Sequence, residues 1–141
     1  MTRTFLDTTI IFAAALSPHG ASREIIRRGL QGTVGLVLSD VVIEEARRNI
    51  ANRYPELLDV LEMFFTSVPF EIVQATQKEV ITAATYVVLK DAPIVAAAQR
   101  ARVDYLVTMD KQHLVNVQVV QEVKKQLGVH IILPESLLDI L

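Results

Sequence analysis

Short apolar stretches alternate along the chain with longer segments that have a helical hydrophobic period. The apolar stretches predict strands at 3–6, 36–38, 69–73, 105–108 and 130–133. Between them, apolar residues recur at every third or fourth position, which is typical of amphipathic helices. Strands that alternate with helices favour one parallel sheet covered by helices on both faces. We therefore predict an α/β fold, with a central sheet of about five short strands, that takes up residues 1–141 as a single domain.

The expected helices begin and end at typical capping residues. We expect Asp7 or Thr8 to cap a helix at 8–16, and Ser39 or Asp40 to cap one that runs to about residue 50. Ser22 is the expected cap of the second helix, whose apolar stripe would include Leu30. Further helices are expected at about 57–64, 76–89, 94–101, 119–127 and 134–141.

Composition narrows the classes of protein to consider. Just over half of the 141 residues are apolar, the net charge is −2 and cysteine is absent. The lack of cysteine excludes a disulfide framework, a thiolate metal site and a cysteine nucleophile. Residues 10–16 after Arg3 resemble a short signal peptide, but Asp7 interrupts the pattern and we expect a helix of the fold instead. We expect a cytoplasmic protein with no membrane span.

Four carboxylates stand where the predicted topology would bring them to one edge of the sheet. Asp7 and Asp110 follow the first and fourth strands, Glu45 lies in the helix after the second strand, and Asp91 precedes the helix that leads to the fourth. In an open parallel sheet, ligands bind beyond the carboxyl ends of the strands. Two like charges about 4 Å apart repel by roughly 4 kcal/mol at an effective dielectric of 20, so such a cluster favours a bound cation. Oxygen ligands suit Mg²⁺ or Mn²⁺, which can activate water for phosphodiester hydrolysis.

Each of these residues also has an ordinary structural interpretation. Asp is a common helix cap, and Glu45 next to Glu44 could be a solvated helix residue. Thr8 and Thr108 flank the expected site and could support a metal ligand or a phosphate, although threonine is common at such positions. The three histidines lack metal-ligand spacing, and we expect them to be structural or surface residues; they are His19, His113 and His130.

The basic residues of the first third of the chain are all arginines, the side chain best suited to phosphate. Arg23 and Arg27 share one helix face, and Arg47 and Arg48 follow Glu45 closely, so these four are candidate contacts to the phosphates of a nucleic-acid backbone. Ion pairs along each helix, for example with Glu24 or Glu44, are an equally good interpretation.

Several stretches together resemble PIN-domain ribonucleases, in particular the VapC-like toxins of type II toxin–antitoxin pairs. The matching stretches are 5–9, 17–20, 36–45, 90–98 and 101–111. The resemblance implies a three-layer α/β/α fold and cleavage of RNA that depends on Mg²⁺ or Mn²⁺. It implies that the acids that bind metal and act in catalysis are Asp7, Glu45, Asp91 and Asp110. It also implies an RNA substrate, an antitoxin partner that covers the acidic pocket, and a homodimer.

The sequence departs from this family at a few positions. Thr9 stands where the family usually has Asn or Ser, and no further acid follows Asp110 closely. The sequence therefore does not indicate whether a second metal ion binds. Glu45 is preferred over Glu44 because the family places its acid six residues after the serine that ends the second strand, here Ser39. Residues 115–128 have no expected role beyond packing.

Other functions stay open on the sequence alone. A PIN-like RNA-processing or RNA-binding protein without a toxin role and a catalytically silent interaction module are both alternatives. A haloacid-dehalogenase-type phosphatase would need a second Asp where Thr9 stands, and a receiver domain would need paired acids beside Asp7. For the homodimer, the expected contact is a helical face that carries these residues: Leu57, Leu61, Phe64 and Phe65.

Overall fold

The computed structural model describes residues 1–141, and its strands and helices alternate along the chain. The strands are β1 (Arg3–Leu6), β2 (Gly35–Ser39), β3 (Glu71–Val73), β4 (Tyr105–Val107) and β5 (Ile131–Ile132). The helices are α1 (Thr8–Leu16), α2 (Ala21–Gln31), α3 (Asp40–Arg53), α4 (Leu58–Ser67), α5 (Gln77–Ala83), α6 (Ala92–Ala101), α7 (Val117–Leu127) and α8 (Pro134–Ile140). None of them combines the length and the apolarity that a membrane crossing requires.

The five strands form one fully parallel sheet in the order β3-β2-β1-β4-β5. Phe5 on β1 pairs with Val37 on one side and with Leu106 on the other. The chain proceeds from β1 outward to β3 and then returns to β4, on the far side of β1. The direction of winding therefore reverses between β1 and β4, and a parallel sheet forms its binding crevice at such a point.

Helices cover both faces of the sheet and give three layers. Right-handed crossovers place α1 to α4 on one face and α5 to α7 on the other, because the two halves wind in opposite directions from β1. Helix α1 packs against α2 and α3, whereas α6 packs against α5 and the sheet. A cluster of 36 buried apolar side chains joins the layers. The predicted α/β/α architecture with a central parallel sheet is confirmed.

Local capping places the beginnings of α1 and α3 where the sequence predicts them. The Asp7 carboxylate accepts hydrogen bonds from the backbone N–H groups of Thr9 and Ile10. The Ser39 hydroxyl accepts one from Val42. Asp7 directly follows β1 and Ser39 is the last residue of β2, so the strand-to-helix turns after β1 and β2 are closely defined.

Helix α2 differs from its prediction at both ends. It begins at Ala21 after Gly20, and Ser22 is buried inside the helix instead of capping it. Leu30, predicted for the apolar stripe, is 57 % exposed. Gly29 faces the core in its place, because a Cβ at this position would lie only 2.3 Å from the Leu36 side chain. The core-facing stripe thus continues from Ile25 and Ile26 to Gly29 instead of Leu30, and close packing at this point needs a glycine.

The predicted segments at 76–89 and 69–73 are both longer than the structure allows. Helix α5 ends at Ala83, and turns then lead to a short 3-10 segment at Leu89–Asp91. The residues after Ala84 include Thr85, Val87 and Val88, whose branched Cβ atoms disfavour helix. Strand β3 begins at Glu71 because Pro69 has no N–H group to offer to the sheet.

The face proposed for a homodimer lies largely inside the molecule. Leu61 is fully buried and Phe64 is 7 % exposed, so both pack against the protein's own core. The prediction is therefore wrong for Leu61 and Phe64, because this stripe of α4 faces α1 and α3. Leu57 and Phe65 are partly buried against the same core. Helix α7, by contrast, buries Val123 and Leu127 and has the packing role expected for residues 115–128.

Candidate active site

One cavity opens at the carboxyl end of the sheet, beside the point where the winding reverses. It has a volume of about 630 Å³ and all four predicted acids line it. Asp7 comes from the end of β1, Glu45 from α3, Asp91 from the start of α6, and Asp110 from the loop after β4. The other lining residues are Thr8, Thr9, Phe12, Asn49, Arg53, Lys90, Ile94 and Met109. The structure thus brings together the four acids that are distant in sequence.

Asp7 is the most buried of these acids, at 5 % exposure. Its carboxylate accepts hydrogen bonds from the hydroxyls of Thr9 and Thr108 and from the backbone N–H groups of Thr9 and Ile10. Burial raises the pKa of Asp7 from 3.8 to about 6, although all of these hydrogen bonds act to lower it. Removal from water therefore dominates the chemistry of this carboxylate.

Two threonine hydroxyls join the loops after β1 and β4. The Thr9 hydroxyl donates to Asp7 and accepts the backbone N–H of Met109 at 3.0 Å. The Thr108 hydroxyl also donates to Asp7 and accepts the backbone N–H of Asp110 at 3.0 Å. Because each hydroxyl has both roles, the orientation of Asp7 is coupled to the loop that carries Asp110. The sequence singled out Thr108 but treated Thr9 only as a departure from a family pattern.

Lys90 was not predicted, yet its ammonium lies between two of the acids. Its Nζ is 3.1 and 3.2 Å from the carboxylate oxygens of Asp91 and 3.5 Å from Oδ2 of Asp110. Asp91 has a side chain only 12 % exposed and forms no helix-capping hydrogen bond, so capping does not explain this residue. The two carboxylates raise the pKa of Lys90 against the opposing effect of its partial burial. The Lys90 charge is therefore the main compensation for Asp91.

Asp110 is held by its own loop and by neighbouring charges. Burial acts to raise the pKa of Asp110, but the backbone N–H of His113 and the charge of Lys90 outweigh it and the pKa is lowered. Nδ1 of His113 lies 3.4 Å from Oδ2 of Asp110. One ligand atom each from Asp91, Asp110 and His113 lie within 4.8 Å of one another. His113 was expected to be a structural or surface residue like the other two histidines, but the turn after Asp110 folds it back beside the acids.

Glu45 and Glu44 have clearly different positions. Glu45 is partly buried and lines the cavity, where the Thr8 hydroxyl lies 3.5 Å from its carboxylate. The Glu44 side chain is 77 % exposed and lies 3.7 Å from Arg48. Helix α3 therefore turns only the second of the two adjacent glutamates toward the other acids.

None of the four arginines suggested as RNA contacts lines the cavity. Arg47 forms a two-pronged ion pair with Glu62, and Arg23 donates to the Ala14 carbonyl at 2.6 Å. Arg27 pairs with Glu24. The arginine that does line the cavity is Arg53, at the end of α3. Its spacing from Glu45, eight residues or about two helical turns, is the sequence signal that could have indicated it.

The donor set suits a small divalent cation. The four acids supply carboxylate oxygens, which Mg²⁺ and Mn²⁺ prefer, and there is no thiolate. The contacts of Lys90 show that a positive charge is stabilised between Asp91 and Asp110. Asp91 and Asp110 are the residues best placed to hold a cation directly, with Asp7 and Glu45 on the same cavity wall.

Comparison with known proteins gives a clear likeness only at the level of structure. No protein-family model and no curated protein matches the sequence. The fold resembles that of PAE2754 from Pyrobaculum aerophilum, with a TM-score of 0.65, 16 % identity, and coverage of 98 % of this chain and 88 % of that one. A toxin–antitoxin complex from Klebsiella pneumoniae gives a TM-score of 0.64 at 16 % identity, covering 93 % and 97 %. VapC20 from Mycobacterium tuberculosis, described as a toxin that cleaves the sarcin-ricin loop, gives 0.56 at 15 % identity, covering 77 % and 91 %.

The chain has a PIN-like fold. At 12–16 % identity these likenesses establish the architecture, whereas activity has to be argued from the cavity. The PIN-like architecture accounts for the position of the acids, because it brings the ends of β1 and β4 together.

The raised pKa of Asp7 predicts a pH-dependent stability of the metal-free protein. Because the folded state binds this proton more tightly than the unfolded chain, the contribution is present below about pH 4 and is lost as pH rises through about 6. A shift of this size corresponds to roughly 3 kcal/mol. In EDTA, the unfolding free energy of the wild type should therefore fall between pH 4 and pH 7 relative to that of Asp7→Asn, which lacks the titrating group. A constant difference across that range would contradict the raised pKa.

The position of Lys90 predicts opposite effects of Lys90→Met on stability and on metal affinity. In EDTA, Asp91 loses its cation and the unfolding free energy should fall by about 1 kcal/mol, since the pair is partly exposed. Calorimetric titration should show Mg²⁺ or Mn²⁺ binding several-fold more tightly, because no ammonium has to leave. Lys111→Met, an exposed lysine outside the cavity, is the matched control. Weaker metal binding by Lys90→Met would show that Lys90 supports the metal instead of competing with it.

Proposed function

We propose that this protein is an endoribonuclease that depends on Mg²⁺ or Mn²⁺ and acts as the toxin of a toxin–antitoxin pair. The convergence of Asp7, Glu45, Asp91 and Asp110 on one cavity is the observation that carries the proposal. Four carboxylates that line one cavity repel one another, and a bound cation would relieve that repulsion. Nucleases commonly use such a site on the negatively charged phosphodiester.

The chain's own residues have distinct parts in the proposed reaction. Asp7, fixed by two threonine hydroxyls and two backbone N–H groups, is a rigid ligand at the base of the cavity. Asp91 and Asp110 would hold the cation together with Asp7, and Glu45 on α3 can orient a water on the open side. A bound divalent cation would lower the pKa of that water and neutralise the charge that develops on the phosphate. Phe12, Ile94 and Met109 supply the apolar part of the wall.

The toxin role rests on the fold and on the open mouth of the cavity. The toxin–antitoxin complex from Klebsiella pneumoniae has this fold over nearly the whole chain. We propose that this chain too has an antitoxin partner, one segment of which covers the acidic cavity. We further propose that the chain forms a homodimer in the cytoplasm. A basic side chain on that segment would compensate the carboxylates as Lys90 does within the chain.

An RNA cleavage assay with Mg²⁺, Mn²⁺ or EDTA tests the catalytic part. The wild type should cleave with either metal and stop in EDTA, and Asp7→Asn should lower the rate by roughly a hundredfold or more. Glu45→Gln should also lower the rate, whereas Glu44→Gln, its exposed neighbour, should not. Equal rates for Glu45→Gln and Glu44→Gln would remove Glu45 from the site, and cleavage by Asp7→Asn at the wild-type rate would overturn the proposal.

The same pair of proteins separates a toxin from an RNA-processing enzyme. Induced expression of the wild type in a bacterial host should arrest growth, and expression of Asp7→Asn should not. Metal-dependent cleavage in the tube without growth arrest would favour the processing role.

A further inference from the structure

Arg53 is a charged residue of the cavity that the proposed chemistry does not use. It ends α3, and its side chain lines the same cavity as the four acids. Its guanidinium lies 5.1 Å from the centre of the Phe12 ring and 5.7 Å from the centre of the Tyr54 ring. The two rings also contact each other, with their centres 6.0 Å apart. Arg53 therefore contacts aromatic rings, whereas most arginines on α2 and α3 pair with a carboxylate.

Contacts with ring faces leave the N–H groups of the Arg53 guanidinium available for hydrogen bonds to a ligand. A guanidinium attracted to an aromatic face keeps its N–H donors at the edge of the plane, where they can reach a ligand. Arg47 on the same helix is different, because Glu62 takes up two of its N–H groups. Arg53 is the arginine of α3 that combines contacts with two aromatic rings, a cavity location and no carboxylate partner.

Helix geometry sets the distance between Arg53 and the acidic end of the cavity. Glu45, Asn49 and Arg53 are spaced four residues apart on α3, so they form a row along one face at steps of about 6 Å. The backbone of Arg53 thus lies about 12 Å along the helix from that of Glu45, at the opposite end of the row. A polynucleotide strand that enters the cavity would place a neighbouring phosphate in this part of it.

We infer that Arg53, positioned by Phe12 and Tyr54, binds a backbone phosphate of the RNA strand next to the phosphate that is cleaved. The inference rests on the proposed ribonuclease function and adds the residue that positions its substrate. Arginine is suited to this role because its planar fork can donate two N–H groups to one phosphate. Asn49, in the middle of the row, has an amide that can contact the intervening sugar or phosphate.

Binding of a fluorescently labelled single-stranded RNA of mixed sequence tests this contact without cleavage. The parent protein is Asp7→Asn in Mg²⁺ buffer, to which Arg53→Met or Arg53→Lys is added. Arg53→Met should weaken binding roughly tenfold and reduce the slope of log K against log salt by about 0.7, the value for one phosphate contact on a single strand. Arg53→Lys should keep that slope, because the charge is retained, and lose part of the affinity with the fork.

Arg102→Met provides the matched control. Arg102 directly follows α6 and lies outside the cavity, so the substitution removes the same charge from a different part of the surface. It should leave both the affinity and the salt slope as in the parent. The inference is overturned if Arg53→Met matches the parent, or if Arg102→Met weakens binding as much as Arg53→Met does. Wild-type protein that cleaves RNA normally while Arg53→Met binds like the parent would refute the contact and leave the ribonuclease intact. Arg53-dependent binding by a protein that cleaves no RNA would refute the ribonuclease and leave the contact.

Discussion

Repulsion among four carboxylates is the constraint around which this end of the molecule is built. Two such charges about 4 Å apart repel by roughly 4 kcal/mol at an effective dielectric of 20, and the fold brings four of them to one cavity. The structure reduces this cost in two ways. Burial raises the pKa of Asp7 toward neutrality, while Lys90 places a positive charge against Asp91 and Asp110. The contact with Lys90 suits a site at which a metal ion takes the place of the ammonium.

The topology explains why the acids meet although they are far apart in sequence. Reversal of the winding between β1 and β4 opens a crevice at their carboxyl ends, and Asp7 and Asp110 are among the first residues beyond them. The hydroxyls of Thr9 and Thr108 then fix the two loops to each other through Asp7. The chemistry of the site therefore depends on strand order as much as on the acids themselves.

Features set by the backbone could be predicted from the sequence, and features set by side-chain direction largely could not. Alternation of strands and helices predicted a parallel sheet, so Asp7 and Asp110, which follow strands, were expected at the same edge of it. The strand order that places β1 beside β4 came only from the structure. The choice of Glu45 came from a family resemblance, and only the turn of α3 gives its physical reason. Lys90 and His113 reach the acids through a 3-10 turn and a tight loop, which have no hydrophobic period to reveal them.

The stripe of α2 and the apolar face of α4 show a second limit of sequence patterns. A helical period identifies apolar residues but does not say whether they meet the protein's own core or another copy. Gly29, with no side chain, occupies a core position that the pattern assigned to Leu30, because Leu36 comes too close for a Cβ. Leu61 and Phe64, expected at a dimer contact, fill the space between α4 and its neighbours.

The central claim is that the acidic cavity binds a divalent cation. Anomalous diffraction from a crystal of the wild-type protein grown or soaked with Mn²⁺ tests it most directly. We expect an anomalous peak inside the cavity, in contact with Asp91 and Asp110, with the Lys90 ammonium displaced from its place between them. A crystal that contains Mn²⁺ but shows no peak in the cavity, with Lys90 still paired to Asp91, would contradict it.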